Sequence, residues 1–97
     1  SLVKAYQAVI KDINEEEDYY ELPQGDVNVG DKMEEIIARL KTKPHTIIFQ
    51  DLFLGIISKR EALALFLALL ELIRLQRVEA LQSTPFAKIE LRLRVAI

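Results

Sequence analysis

The stretch that decides the fold is Ser58-Lys59-Arg60-Glu61-Ala62-Leu63-Ala64-Leu65-Phe66-Leu67-Ala68-Leu69-Leu70-Glu71-Leu72-Ile73-Arg74-Leu75-Gln76. Gly55 supplies a turn before it, Ser58 is a fitting N-cap, and Glu61 stands at the capping-box position three residues on. The pattern predicts a helix over residues 59–76, the longest in the chain. With each residue turning the helix by about 100°, Ala62, Leu65, Phe66, Leu69, Leu70, Leu72 and Ile73 make one broad core face. Leu63, Leu67 and Leu75 fall outside that face, and only Arg60, Glu71 and Arg74 mark a polar side. A surface helix needs an apolar stripe a little over ~100° wide. This one is apolar over more than half its circumference, so it should be buried on more than one side.

Downstream, residues 77–82 read as a strand and Ser83-Thr84-Pro85-Phe86 as a turn. From Lys88 the chain alternates strictly. Ile89, Leu91, Leu93, Val95 and Ile97 lie on one face, with Lys88, Glu90, Arg92 and Arg94 on the other. That is the pattern of a half-buried antiparallel strand.

Upstream, Val29, Met33, Ile36, Ile37 and Leu40 mark one face of a helix. Asn28 with Asp31, or Asp31 with Glu34, can satisfy its first free N–H groups. Lys41 and Lys43 suit its negative C-terminal end, and Pro44 stops it. His45-Thr46-Ile47-Ile48 is β-prone, and residues 49–54 form one or two helical turns.

Val3, Tyr6, Val9, Ile10 and Ile13 predict a short amphipathic helix over residues 3–14. Glu15-Glu16-Glu17-Asp18 and the Pro23 and Gly25 that follow read as an acidic linker, with Tyr19 and Tyr20 resting on their own domain or anchoring a partner. The expected class is therefore mainly α with a small antiparallel β hairpin (α+β). It is a winged helix-turn-helix over residues 27–97, preceded by a short helix and acidic linker over residues 1–26.

Ninety-seven residues, half of them hydrophobic, suit one modest core. The chain lacks Cys, which excludes disulfides and thiolate metal sites and fits a reducing cytosol. It begins at Ser1 without Met, which suggests a fragment; no signal-peptide pattern opens it. Its longest uncharged run, residues 62–70, is far short of the roughly 20 apolar residues of a membrane span. The net charge of −2 hides an asymmetry: residues 1–31 carry two basic and eight acidic side chains, and residues 32–97 carry eleven and seven. That mild positive balance keeps nucleic acid as a minor reading.

Three clusters resemble a known family. Phe49-Gln50-Asp51-Leu52-Phe53, then Phe66-Leu67-Ala68-Leu69-Leu70-Glu71-Leu72, then Gln82 with Pro85-Phe86 and Ile89 are similar to the C-terminal domain of the segregation and condensation protein A family. Val27-Asn28-Val29-Gly30-Asp31-Lys32-Met33-Glu34-Glu35-Ile36 resembles the start of that domain's first helix. The likeness spans about residues 27–91, and the alternation of residues 91–97 runs further than the family pattern. The resemblance implies a cytoplasmic, nucleoid-associated kleisin subunit of the bacterial SMC complex, which serves chromosome condensation, chromosome partition and cell division. It implies that the winged helix binds the ATPase head of an SMC protein. The middle region, of which residues 1–26 would be the end, would bind segregation and condensation protein B, and DNA would be met only through the complex.

A winged helix that reads DNA would show Arg, Lys, Asn or Gln to base edges. Here the groove-facing side offers Leu63, Leu67, Glu71 and Arg74, which suits a protein partner better. The surplus leucines could instead pack under the chain's own N-terminal helix, or bury themselves in a homodimer. As an edge strand, the last strand could pair with a partner's sheet. Candidate partner-binding residues are thus Leu63, Leu67, Leu70, Arg74 and Leu75 on the helix, and Leu91, Arg92, Leu93 and Arg94 on the strand.

No catalytic constellation emerges, so a non-enzyme without cofactor or metal is expected. His45 is the single His and reads as a surface residue. Residues 15–18 have no Gly-bearing Ca²⁺ loop around them, and no Gly-rich phosphate loop occurs.

Overall fold

The structure is a computed structural model and describes residues 1–13 and 27–94. Helix α1 spans Leu2–Asp12, α2 Val29–Leu40 and α3 Lys59–Arg74. Strand β1 is Thr46–Ile48, followed directly by a 3₁₀ helix, Phe49–Phe53; β2 is Val78–Leu81 and β3 Glu90–Leu93. The acidic linker with Tyr19 and Tyr20, and the last three residues of the alternating strand, lie outside the described residues.

Local chemistry sets the helix starts as the sequence predicts. The Asn28 side chain accepts the Asp31 N–H at 3.0 Å, and Ser58 Oγ accepts the Glu61 N–H at 3.2 Å. These caps satisfy donors that the first helical turn cannot. The Glu61 carboxylate does something the capping-box pattern does not describe. It reaches Lys32 Nζ at 2.7 Å and so ties the start of α3 to α2, while the same ammonium also meets Glu35 at 3.3 Å. Partial burial works against the charged ammonium. The hydrogen bond and charge of Glu61, then those of Glu35, outweigh it and raise the Lys32 pKa above the ordinary lysine value.

The three strands form one antiparallel sheet in the order β1-β3-β2. Ile47 pairs with Leu91, and Leu91 pairs on its other side with Ala80. The core lies between this sheet, α2 and α3. It holds Ile36, Leu40, Phe49, Leu52, Leu69, Leu72, Val78 and Leu91, all essentially inaccessible. The helix, strand, short helix, helix and hairpin order with this sheet is a winged helix, and its class is α+β.

Helix α1 is bound to the same core. Tyr6 stacks on Phe66 with ring centroids 4.2 Å apart and leans on Phe53 at 6.0 Å. Burial of the phenol raises the Tyr6 pKa above its ordinary value. The N-terminal helix therefore covers the Phe66 side of α3, and it leaves the surplus leucines in the open.

Candidate partner interface

The buried residues of α3 are Ala62, Ala64, Leu65, Phe66, Ala68, Leu69 and Leu72. Sequence projection centres the core face on the large side chains; the structure turns it towards Ala64 and Ala68. Small residues let neighbouring elements approach closely, and projection weighted by size overlooks them. The consequence is that Leu70, assigned to the margin of the core face, is 36% exposed, beside Leu63 at 46% and Leu67 at 43%. Spaced at i, i+4 and i+7, these three leucines form one open stripe along the outward face of α3. Leu75, at 44%, is exposed at the C-cap just beyond the helix.

Arg74 closes the stripe at its C-terminal end. Its Nε donates to Glu71 Oε1 at 2.9 Å and its Nη2 to Oε2 at 2.6 Å. The hydrogen bond from Arg74, assisted by its charge, lowers the Glu71 pKa. A guanidinium held this way is a neutralised, positioned rim and not a free base reader. The outward face of α3 thus carries leucines, the exposed Arg60 and a closed ion pair, fewer polar groups than a groove-reading helix would present.

The strand candidates fare differently. β3 is the middle strand, not an edge: it is paired on both sides, and the pairing continues through Phe49 N–H to Ile89 O at 2.8 Å and Arg94 N–H to Arg77 O at 2.9 Å. It cannot add to a partner's sheet along this length. Leu91 is fully buried and faces the core, so it is no surface residue; Leu93 is half-buried and packs against the same core. Arg92 and Arg94 are exposed, and both face Glu79. Arg92 Nε donates to Oε2 at 2.8 Å, and Arg94 Nη1 stands 3.9 Å from Oε1. They line a shallow cavity of about 710 Å³ together with Leu40, His45 and Thr46. His45 is exposed, with a left-handed φ of 71°, and its Nδ1 lies 3.2 Å from Leu40 O. The structure does not bring the helix and strand candidates into one patch of leucines, because Leu91 belongs to the interior.

Phe86 is 98% exposed in the β2–β3 loop. Among the described residues, no group of three or more His, Asp or Glu is placed to hold a metal ion, and no helix is long and apolar enough to cross a membrane.

Fold and surface together define a winged-helix module whose central helix turns leucines outward. The family model for segregation and condensation protein ScpA matches residues 2–94, and the chain belongs to that family. It is 33% identical over 91 residues to segregation and condensation protein A of Caldanaerobacter subterraneus subsp. tengcongensis, a match covering 94% of this chain and 36% of that protein. It is 32% identical over 88 residues to the proteins of the same name from Thermoanaerobacter sp. strain X514 and Thermoanaerobacter pseudethanolicus, covering 91% of this chain and 36% of each. The chain thus spans about a third of the length of these relatives.

Proposed function

We propose that this chain is a non-enzymatic docking module that binds the ATPase head of an SMC protein through the outward face of α3, and through it serves chromosome condensation and segregation. The observation that carries this reading is the open stripe Leu63, Leu67 and Leu70 on the central helix of a member of the ScpA family. The chain's own N-terminal helix packs on Phe66 and Phe53 and leaves that stripe uncovered. Aligned leucines with a polar rim form the apolar centre that a protein interface needs. The same residues cannot read base edges, and Glu71 repels phosphate, which disfavours direct DNA recognition.

In this reading ATP chemistry belongs to the partner, and Arg74 and Leu75 lie at the margin of the contact. Arg92 and Arg94, which face Glu79 of the same chain, form a separate polar surface that serves as solubilising charge. Residues 1–26 form the end of the middle region, whose partner is segregation and condensation protein B. The site of action is the cytoplasm, at the nucleoid.

Mixing the chain with the isolated SMC ATPase head and running a sizing column tests the reading. Co-elution at micromolar concentration is the expected result, and separate peaks would count decisively against it. A salt-dependent gel shift of duplex DNA by the chain alone would favour a DNA-binding regulator. Light scattering that reports a dimer would favour self-assembly through the leucines.

A further inference from the structure

Helix α1 is held to the molecule differently from the other helices. None of its residues is buried, whereas α2, α3 and the 3₁₀ helix each seal three or more side chains in the core. Its apolar face, Leu2, Ala5, Tyr6, Val9, Ile10 and Ile13, is half-buried and rests on the margin of that core, against the 3₁₀ helix and α3.

Polar links bind the other helices to one another. Lys32 of α2 reaches Glu61 of α3 at 2.7 Å, and Arg39 Nη1 of α2 donates to Leu52 O of the 3₁₀ helix at 3.3 Å. The side-chain hydrogen bond of α1 stays within it, from the Lys4 N–H to Ser1 Oγ at 3.4 Å. Among the described residues, no ion pair or side-chain hydrogen bond joins α1 to the winged helix. Its attachment is apolar contact, centred on Tyr6. That ring lies nearly parallel to Phe66, with 8° between the planes, and leans on Phe53.

The surface under Tyr6 is complete without it. Phe49 packs on Phe53 at 5.1 Å and meets Phe66 edge-on at 6.2 Å, so the winged helix supplies three rings that support one another. Ile36, Leu40, Leu69, Leu72 and Leu91 are sealed between the sheet, α2 and α3. Departure of α1 uncovers one side of Phe53 and Phe66 and leaves this core closed.

A released α1 has no other support. It spans 11 residues, and isolated helices shorter than ~12–15 residues are marginal in water. Leaving the groove and unfolding are therefore one event. Segments with few buried contacts open at a free energy below that of global unfolding.

We propose that α1 is a reversible latch: it releases from the Phe53–Phe66 groove and unfolds as a unit while the winged helix stays folded. With residues 1–26 read as the end of the middle region, the latch sets whether that region is held against the docking module or swings free of it. That consequence rests on the proposed function; the latch itself does not.

Amide hydrogen exchange of the whole chain, followed residue by residue by NMR, tests the latch. After correction for intrinsic rates, the amides of residues 6–12 exchange at least about a hundredfold faster than those of Leu69 and Leu72. Val78→Ala removes core contacts of β2 that the latched and released forms share. It speeds exchange at Leu69 and Leu72 by about tenfold or more and leaves residues 6–12 unchanged. Tyr6→Ala strips protection from residues 6–12 while Leu69 and Leu72 stay protected. Equal protection of α1 and the core, acceleration of both by Val78→Ala, or loss of both in Tyr6→Ala overturns the proposal, because α1 is then part of one cooperative unit. Each of those outcomes leaves the α3 docking reading standing, since none involves the SMC head.

Discussion

The two faces of α3 are built from the same amino acid and have opposite surroundings. Leu65, Leu69 and Leu72 are sealed in the core at 4%, 0% and 0% exposure; Leu63, Leu67 and Leu70 stand in water. Hydrophobicity does not distinguish the two sets, because apolar residues are abundant on all protein surfaces. What distinguishes them is position on the helix relative to the elements that pack there. The buried set supports the fold. The open set is only partly covered by the chain and is the natural place to look for a partner.

The comparison breaks most visibly at Leu69. Leu69→Ala leaves a cavity in a closed core and should cost about 2–5 kcal/mol of stability, read from denaturant unfolding. Leu67→Glu, two residues away but on the other face, should change stability by no more than about 0.5 kcal/mol. Its effect belongs to binding: affinity for the SMC head should fall by roughly ten-fold or more, a cost of about 1.4 kcal/mol or above. Equal destabilisation by both substitutions would abolish the distinction between the faces.

The ends of the helix sharpen the comparison with smaller effects. Gln76 holds the left-handed position of the C-terminal closure at a φ of 62°, where a side chain is unfavourable and glycine is not. Gln76→Gly should therefore stabilise the chain by about 1 kcal/mol in thermal or urea melts, without altering either face.

At the N-terminal end the Lys32 ammonium, with a pKa raised by Glu61 and Glu35 against the opposing effect of burial, links α2 to α3. A group whose folded pKa is raised contributes stability fully below its unfolded pKa, and loses it as pH climbs through the folded value. The chain should thus lose a small increment of stability as pH rises above the ordinary lysine range. Lys32→Met should lack that alkaline increment in pH-dependent melts. A variant that tracks the unaltered chain through that range would show that the ion pair is screened out.

Much of the molecule was legible in the sequence because much of it is local. Asn28 and Ser58 cap the helices they precede, since a side chain three residues from a free N–H can reach it in any context. The alternation from Lys88 identified the inward face of the last strand, and Ile89, Leu91 and Leu93 do point to the core. The family resemblance was legible for a related reason, as it rests on residues that build this core, Phe49, Leu52, Phe53, Phe66 and Ile89 among them. Less legible was the site. Projection separated Leu63 and Leu67 from the core but kept Leu70 with it.

By itself the sequence determined which segments are helices and strands, where the helices begin, and that α3 carries more leucine than one core face can hold. Those properties depend on side-chain periods and on groups a few residues apart. Only the tertiary structure decided that Leu70 joins Leu63 and Leu67 in the surplus. The rotation of α3 is set by α1, α2 and the sheet, all distant in sequence, and the small Ala64 and Ala68 allow them to approach. Strand order is likewise a non-local matter. Pairing on both sides made β3 the central strand, buried Leu91 and removed it from the surface, whereas Arg92 and Arg94 remained outside around Glu79.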